Sequence, residues 1–254
     1  MITLKFHELN IDLCIRMVAR TLNNHKRDLF YNHGNHSHMN FNAVIFDLDG
    51  TLLNTLQDIV NTLNTVLRAH DYPTHTLDEC RFLVGHGMRE LVRKALPEGV
   101  GKEETIDLLL KELMVEYGDN WNVNTRPYPG IAPLLDTISE RRIKMAILSN
   151  KADHFTRLCA ESLLASWRFD VVMGHHSGIA PKPDPEGALL VADMLGENAS
   201  AILYVGDSCI DMLTASRAGM YPLGVLWGFR PKSELLEFGA KRVVEHPEEI
   251  IELL

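Results

Sequence analysis

Five short apolar runs, most of them closed by a small or polar residue, constrain this chain more than any other feature. Residues 43–46 end in Asp47, 143–148 in Ser149, 169–173 in Gly174 and 201–205 in Gly206-Asp207, while 222–227 follows a helical stretch. Continuous apolar runs of this length suit strands buried on both faces of a parallel sheet. Between them lie segments with helical spacing, at 153–164, 185–195 and 210–218, the last stopped by Gly219. Strand-helix alternation of this kind predicts an α/β sandwich with right-handed crossovers.

One interval breaks the alternation. Asp47 and Ser149 are 102 residues apart, far more than one crossover needs. Residues 58–70, 88–95 and 103–120 all have helical spacing, and no strand pattern lies among them. The expected architecture is a Rossmann-like doubly wound parallel sheet with a helical cap domain inserted after the first strand. The catalytic core is expected at 41–56 and 127–254, the cap at 57–126, and an N-terminal extension of unknown role at 1–40.

Charge follows the same division. The chain carries −9 overall, with +2 on residues 1–40 and −11 on the remainder. The extension holds five of the 12 histidines, three of them between His33 and His38, and reads as a polar tail with one helix over 9–22. An acidic core argues against nucleic acid as a partner. No apolar stretch reaches the roughly 18 residues of a membrane span, and there is no secretion or transit pattern. Four scattered cysteines without a C-x-x-C pair point to free thiols in a reducing compartment, so a cytoplasmic location is expected.

Open parallel sheets bind ligands at the carboxyl ends of their strands. This chain places Asp47, Ser149 and Asp207 there, with Lys182 on a nearby loop. Taken singly, each has an ordinary explanation as a cap or a solvated group. Together, Asp47, Asp49 and Asp207 repel one another unless a cation offsets them. Oxygen-only ligands point to Mg²⁺, which bridges readily to phosphate. The Asp47-Leu-Asp-Gly-Thr51 segment is not an EF-hand, whose sixth and twelfth positions would fall on Leu52 and Asp58. Gly85-His-Gly87-Met-Arg-Glu90 lacks the third glycine of a dinucleotide fingerprint, and no Walker A sequence occurs.

In four motifs the chain resembles the haloacid dehalogenase superfamily of phosphohydrolases. They are Asp47-Leu-Asp-Gly-Thr51, Ser149-Asn150, Lys182 within Ala180-Pro-Lys-Pro-Asp184, and Gly206-Asp-Ser-Cys-Ile-Asp211. The resemblance runs from about residue 42 to the C-terminus. Val84-Gly-His-Gly-Met88 and Leu226-Trp-Gly-Phe-Arg230 look most like the phosphoglycolate phosphatase group.

The resemblance implies a role for each motif residue. Asp47 would be the nucleophile that takes the phosphoryl group, and Asp49 the acid for the leaving alkoxide and then the base for water. Mg²⁺ would be held by the Asp47 carboxylate, the Asp49 backbone carbonyl and the Asp207 carboxylate. Lys182 and Ser149 would bind phosphoryl oxygens. Asp211 would orient waters or Lys182, with Asn150 and Thr51 as supports. For Lys151, solvated surface and substrate contact are equally open. In the cap, Gly85, His86, Gly87 and Arg89 are candidate substrate contacts, Arg89 for a substrate carboxylate, against an ordinary helix start with solvated arginines.

The expected activity is thus a Mg²⁺-dependent phosphatase acting on a small phosphorylated metabolite such as 2-phosphoglycolate. A sugar phosphomutase or a pyrophosphatase of the same superfamily is the alternative. A signalling receiver domain fits less well, since it is about half this length and needs an acidic pair before its phospho-acceptor.

Overall fold

In a computed structural model, the residues described run from 41 to 254. The expectations for residues 1–40, the helix and histidine cluster included, lie outside them. Strand β1 (Ala43–Phe46) is followed by β2 (Leu53–Asn54) and the helices α1 (Leu56–Ala69), α2 (Leu77–Leu83), α3 (Met88–Ala95) and α4 (Glu103–Asn120). The chain then forms β3 (Arg126–Pro127), α5 (Ile131–Glu140), β4 (Lys144–Ala152), α6 (Asp153–Leu163), β5 (Val171–His175) and α7 (Glu186–Leu195). It ends with β6 (Ile202–Gly206), α8 (Cys209–Ala218), β7 (Tyr221–Val225), α9 (Lys232–Glu237), β8 (Arg242–Val244) and α10 (Glu248–Ile251).

Six strands make one parallel sheet in the order β5-β4-β1-β6-β7-β8. Successive side chains of a strand point to opposite faces. Accordingly Ala43 and Ile45 pack in one apolar cluster with Val191 of α7 and Ala215 of α8. Val44 and Phe46 pack in the other with Leu134 of α5 and Phe155 of α6. Helices therefore cover both faces, the doubly wound arrangement anticipated from the alternating runs. The chain leaves β1 toward β4 on one side and returns to β6 on the other, so the strand order reverses beside β1. Asp47, Ser149 and Asp207 all lie at this crevice.

Helices α1 to α4 occupy the long interval after β1. Their apolar faces, including Leu63, Leu91, Ile106 and Leu109, belong to the same continuous core as Val44 and Phe46. Three of these helices match the expected ones closely. Helix α2 was not anticipated, because its short apolar content is masked by Asp78, Glu79 and Arg81; a Thr76–Glu79 capping box starts it. Two further elements were missed at the borders of the interval. Strands β2 and β3 pair antiparallel, Leu53 with Pro127 and Asn54 with Arg126, and two-residue strands carry no period to read.

Beside this pair, Asp58 of α1 is 1% exposed and accepts hydrogen bonds from Asn124 and Thr125. Both the outgoing and returning chains are thus fastened at one point. No helix among the described residues is long and apolar enough to cross a membrane.

Candidate active site

The first strand ends at Phe46, and the chain curls at once. Gly50, at φ +88°, makes this possible, and a side chain there would collide with the Asp207 carboxylate. Gly228 approaches the same aspartate from the far side, where a Cβ would meet both Asp207 and the Gly50 carbonyl. Asp207 is therefore enclosed by backbone, and its Oδ2 accepts from the Phe229 N–H at 2.7 Å.

Lys182 is the hub of the site. Its Nζ donates to Asp47 Oδ1 at 2.8 Å, Asp211 Oδ1 at 2.7 Å and the Leu148 carbonyl at 3.1 Å, which uses all three of its N–H groups. Burial works against its charge, but Asp211 and Asp47 outweigh it and hold the ammonium well above the usual lysine range. Asp211 is further engaged by Ser208, whose hydroxyl donates to Oδ2 at 2.7 Å. Asn150 fixes the loop that carries Lys182. Its Oδ1 accepts from the Lys182 N–H at 2.8 Å, while its Nδ2 donates to the carbonyls of Lys182 and Gly85, each at 2.9 Å.

Asp47, Asp207 and Asp211 each offer an oxygen within 4.8 Å of the other two, and all three are buried. One ammonium does not balance three carboxylates. Burial pushes Asp47 up to about 7, with Lys182 opposing and Asp211 and Asp49 adding. Asp207 is raised well above the carboxylate range by burial, by Asp211 and by Asp47. A divalent, oxygen-seeking cation would relieve this charge deficit, so the donor set fits Mg²⁺.

Asp49, two residues on, pairs with a different lysine. Lys151 Nζ stands 3.0 and 3.2 Å from its two carboxylate oxygens and donates to the Tyr117 hydroxyl at 2.8 Å. Asp47, Asp49, Ser149, Lys151, Lys182 and Asp207 all line one cleft, whose opposite wall includes Val84, Gly85, Gly87, Met88 and Leu91.

Comparison with known proteins agrees with this geometry. The sequence pattern of the haloacid dehalogenase-like hydrolases matches residues 44–225. The chain belongs to that family.

Among the relatives of this hydrolase, an N-acetylmuramic acid 6-phosphate phosphatase of Pseudomonas aeruginosa is 31% identical, over 85% of this chain and 96% of its own. A phosphoglycolate phosphatase of Aquifex aeolicus is 30% identical, over 84% and 96%. The crystal structure of an inferred phosphoglycolate phosphatase from Lactobacillus delbrueckii subsp. bulgaricus superposes with a TM-score of 0.80 at 29% identity, covering 84% and 98% of the two chains.

Within the hydrolase, the expected motif residues converge, but the expected insertion contacts only partly do. Gly85 and Gly87 line the cleft, and a side chain on Gly87 would press the Asn150 carbonyl at 3.2 Å. His86 does not line it. Its ring is mostly buried, and that burial, with Lys94 and Arg230 adding and Glu90 opposing, lowers its pKa to about 4. Arg89 does not line the cleft either: its guanidinium pairs with Glu103 at 2.7 Å and Asp107 at 2.6 Å on α4.

Thr51 is fully buried and lines no part of the cleft. Its carbonyl accepts from Trp227 Nε1 at 2.9 Å. Lys151 proves to be buried rather than solvated, and it pairs with Asp49. Tyr117 and Arg230 were given no role from sequence. Tyr117 is one of many apolar positions of a helix, and nothing in its neighbours marks it. Arg230 closes the Leu226-Trp-Gly-Phe-Arg230 stretch, and that stretch is its signal in the sequence.

Proposed function

We propose that this hydrolase cleaves a small phosphomonoester of the 2-phosphoglycolate type through a phosphoryl group carried on Asp47. One observation carries the reading: two carboxylates two residues apart face one cleft, each held by its own buried lysine. In the first step an Asp47 oxygen bonds to phosphorus while the ester P–O bond breaks. The leaving oxygen takes a proton from Asp49. In the second, a water gives its proton to Asp49 and bonds to phosphorus, and the P–O bond to Asp47 breaks. Phosphate and the alcohol are the products, and Asp49 regains the proton it gave.

In this scheme Ser149 donates to a phosphoryl oxygen, while Lys182, its three N–H groups engaged, keeps Asp47 oriented and supplies positive charge beside the phosphoryl group. The Asp47 and Asp207 carboxylates and the Asp49 carbonyl would hold Mg²⁺, because both oxygens of Asp211 are already engaged by Lys182 and Ser208. When bound, the ion offsets phosphoryl charge and orients the group for in-line displacement. Helices α1 to α4 act as the cap, closing over the phosphorylated enzyme and limiting access of water. Cys80, Cys159 and Cys209 are buried thiols, in keeping with a reducing, cytoplasmic setting.

Gly85 and Gly87 bring backbone into the wall facing Asp47 and Asp49, which favours a compact leaving group. The Pseudomonas aeruginosa relative supports a second reading, an amino-sugar 6-phosphate. Steady-state phosphate release from 2-phosphoglycolate, N-acetylmuramic acid 6-phosphate and glucose 1-phosphate decides between them. A kcat/KM for 2-phosphoglycolate at least about tenfold above the others is expected for the compact-substrate reading. Release from none of the three contradicts it.

A further inference from the structure

Lys151 is the strongest group that the scheme above leaves without a task. It follows Ser149 and Asn150 on β4, its side chain is 1% exposed, and it lines the cleft. Its position is tightly determined. Asn150 beside it is tied to both Gly85 and the Lys182 loop, and the Lys151 N–H donates to Ser149 Oγ at 3.2 Å. The ammonium then reaches Asp49 and the Tyr117 hydroxyl and sits 4.7 Å from the centre of the Tyr117 ring. Tyr117 is fully buried on α4, with Phe155 of α6 against its ring edge at 5.1 Å.

Asp49 has no other side-chain partner among the described residues, and its side chain is 15% exposed toward the cleft. A carboxylate at a loop bend with one polar partner has several rotamers open to it, and the partner selects among them. An apolar side chain would fill the Lys151 position at no desolvation cost, whereas a buried ammonium needs a well-placed partner. The cost is met at the point where a proton must be delivered.

We propose that Lys151 is the positioning residue of Asp49, holding the proton donor at the leaving-group side of the cleft, and that the Tyr117 hydroxyl holds Lys151. This rests on the phosphatase reading and deepens it. Positioning matters because proton transfer requires the donor within hydrogen-bond reach of the leaving oxygen, and small misplacements are costly. The hydroxyl comes from the inserted helices and the lysine from the sheet, so the donor is set only when the two are packed together.

The test compares two esters. The alkoxide of 2-phosphoglycolate needs a proton to leave, whereas p-nitrophenolate departs as the anion. Because kcat/KM covers only the steps through the first irreversible bond cleavage, the ratio of kcat/KM for the two esters reports proton delivery to the leaving group. In Lys151→Met this ratio is expected to fall about tenfold or more. In Tyr117→Phe, which keeps the buried ring, it is expected to fall about threefold.

Equal losses on both esters would make Lys151 a phosphate-binding or structural residue and overturn the proposal, as would no change in either. If Lys151→Met does not fold, the Tyr117→Phe ratio decides alone. Asp49→Asn is the reference. If it leaves the ratio unchanged, the phosphatase reading itself fails at the acid, whereas a drop in Asp49→Asn without one in the Lys151 and Tyr117 variants sinks only the present inference.

Discussion

Arg230 donates from Nη2 to the carbonyl oxygen of Val84 at 2.8 Å, joining the loop after β7 to the loop that roofs the cleft. The same guanidinium bonds the Arg81 carbonyl, and Arg81 returns a bond to the Gly228 carbonyl at 3.0 Å. The Arg81, Phe82 and Val84 carbonyls at the end of α2, which have no partner within the helix, are thus satisfied from the loop after β7. Two arginines hold the closed arrangement from opposite sides.

Arg230→Met keeps the apolar stem and removes every donor. Hydrogen bonds to a charged group contribute about 1.5–3 kcal/mol each. The expected result is a rise in KM of about tenfold with a smaller change in kcat, together with faster limited proteolysis within residues 77–100. Unchanged KM and an unchanged cleavage pattern would remove Arg230 as the latch.

Lys182→Met leaves Asp47 and Asp211 buried without their shared counter-charge. Breaking a buried pair from one side costs about 3–5 kcal/mol. Urea unfolding is expected to show a loss of that order at pH 7, with phosphatase activity abolished. A loss below about 1 kcal/mol would mean that water replaces the ammonium.

Asp47→Asn removes the attacking carboxylate while retaining its shape. Hydrolysis of p-nitrophenyl phosphate is expected to fall at least about a thousandfold, with the circular dichroism spectrum unchanged. Acid-quenched protein from the unsubstituted enzyme should carry phosphate on Asp47 by mass spectrometry, and its absence under rapid quench would argue against a covalent step.

Divalent cation binding is expected to stabilise the fold as well as support turnover. At a hundredfold excess over Kd, Mg²⁺ adds about 2.7 kcal/mol, visible as a rise in Tm that EDTA reverses. Asp207→Asn should lose both the Tm response and the activity. Full turnover in EDTA would rule out the Mg²⁺ site.

Asp58 gives a pH signature. Burial pushes its pKa up, but the hydrogen bonds from Asn124 and Thr125 outweigh burial and leave the carboxyl below the usual aspartate value. A lowered native pKa contributes stability that is present above about pH 4 and is lost as pH falls through the native value. Asp58→Asn replaces an acceptor with an amide and is expected to cost about 2–3 kcal/mol at pH 7. As pH falls through the native value the urea midpoints of variant and parent should converge; a constant gap would contradict the assignment.

Sequence alone determined where the sheet lies, that helices fill the interval after β1, and which carboxylates end its strands. Apolar runs and residue spacing are local properties, and they place Asp47, Ser149 and Asp207 without reference to anything distant. Partnership is not local. Lys151 and Asp49 are 102 residues apart, and Tyr117 lies 34 residues from Lys151. Nothing near Lys151 in the chain distinguishes a buried ammonium from a solvated one.

The same applies to Arg89, which α4 draws outward through Glu103 and Asp107, and to Arg230, which completes a helix end 146 residues earlier. Long side chains can reach several partners, and only the packing of whole elements decides which one is within hydrogen-bond distance. The motifs could therefore be read along the chain, whereas the residues that hold Asp49 and close the roof emerged only once sheet and helices were packed together.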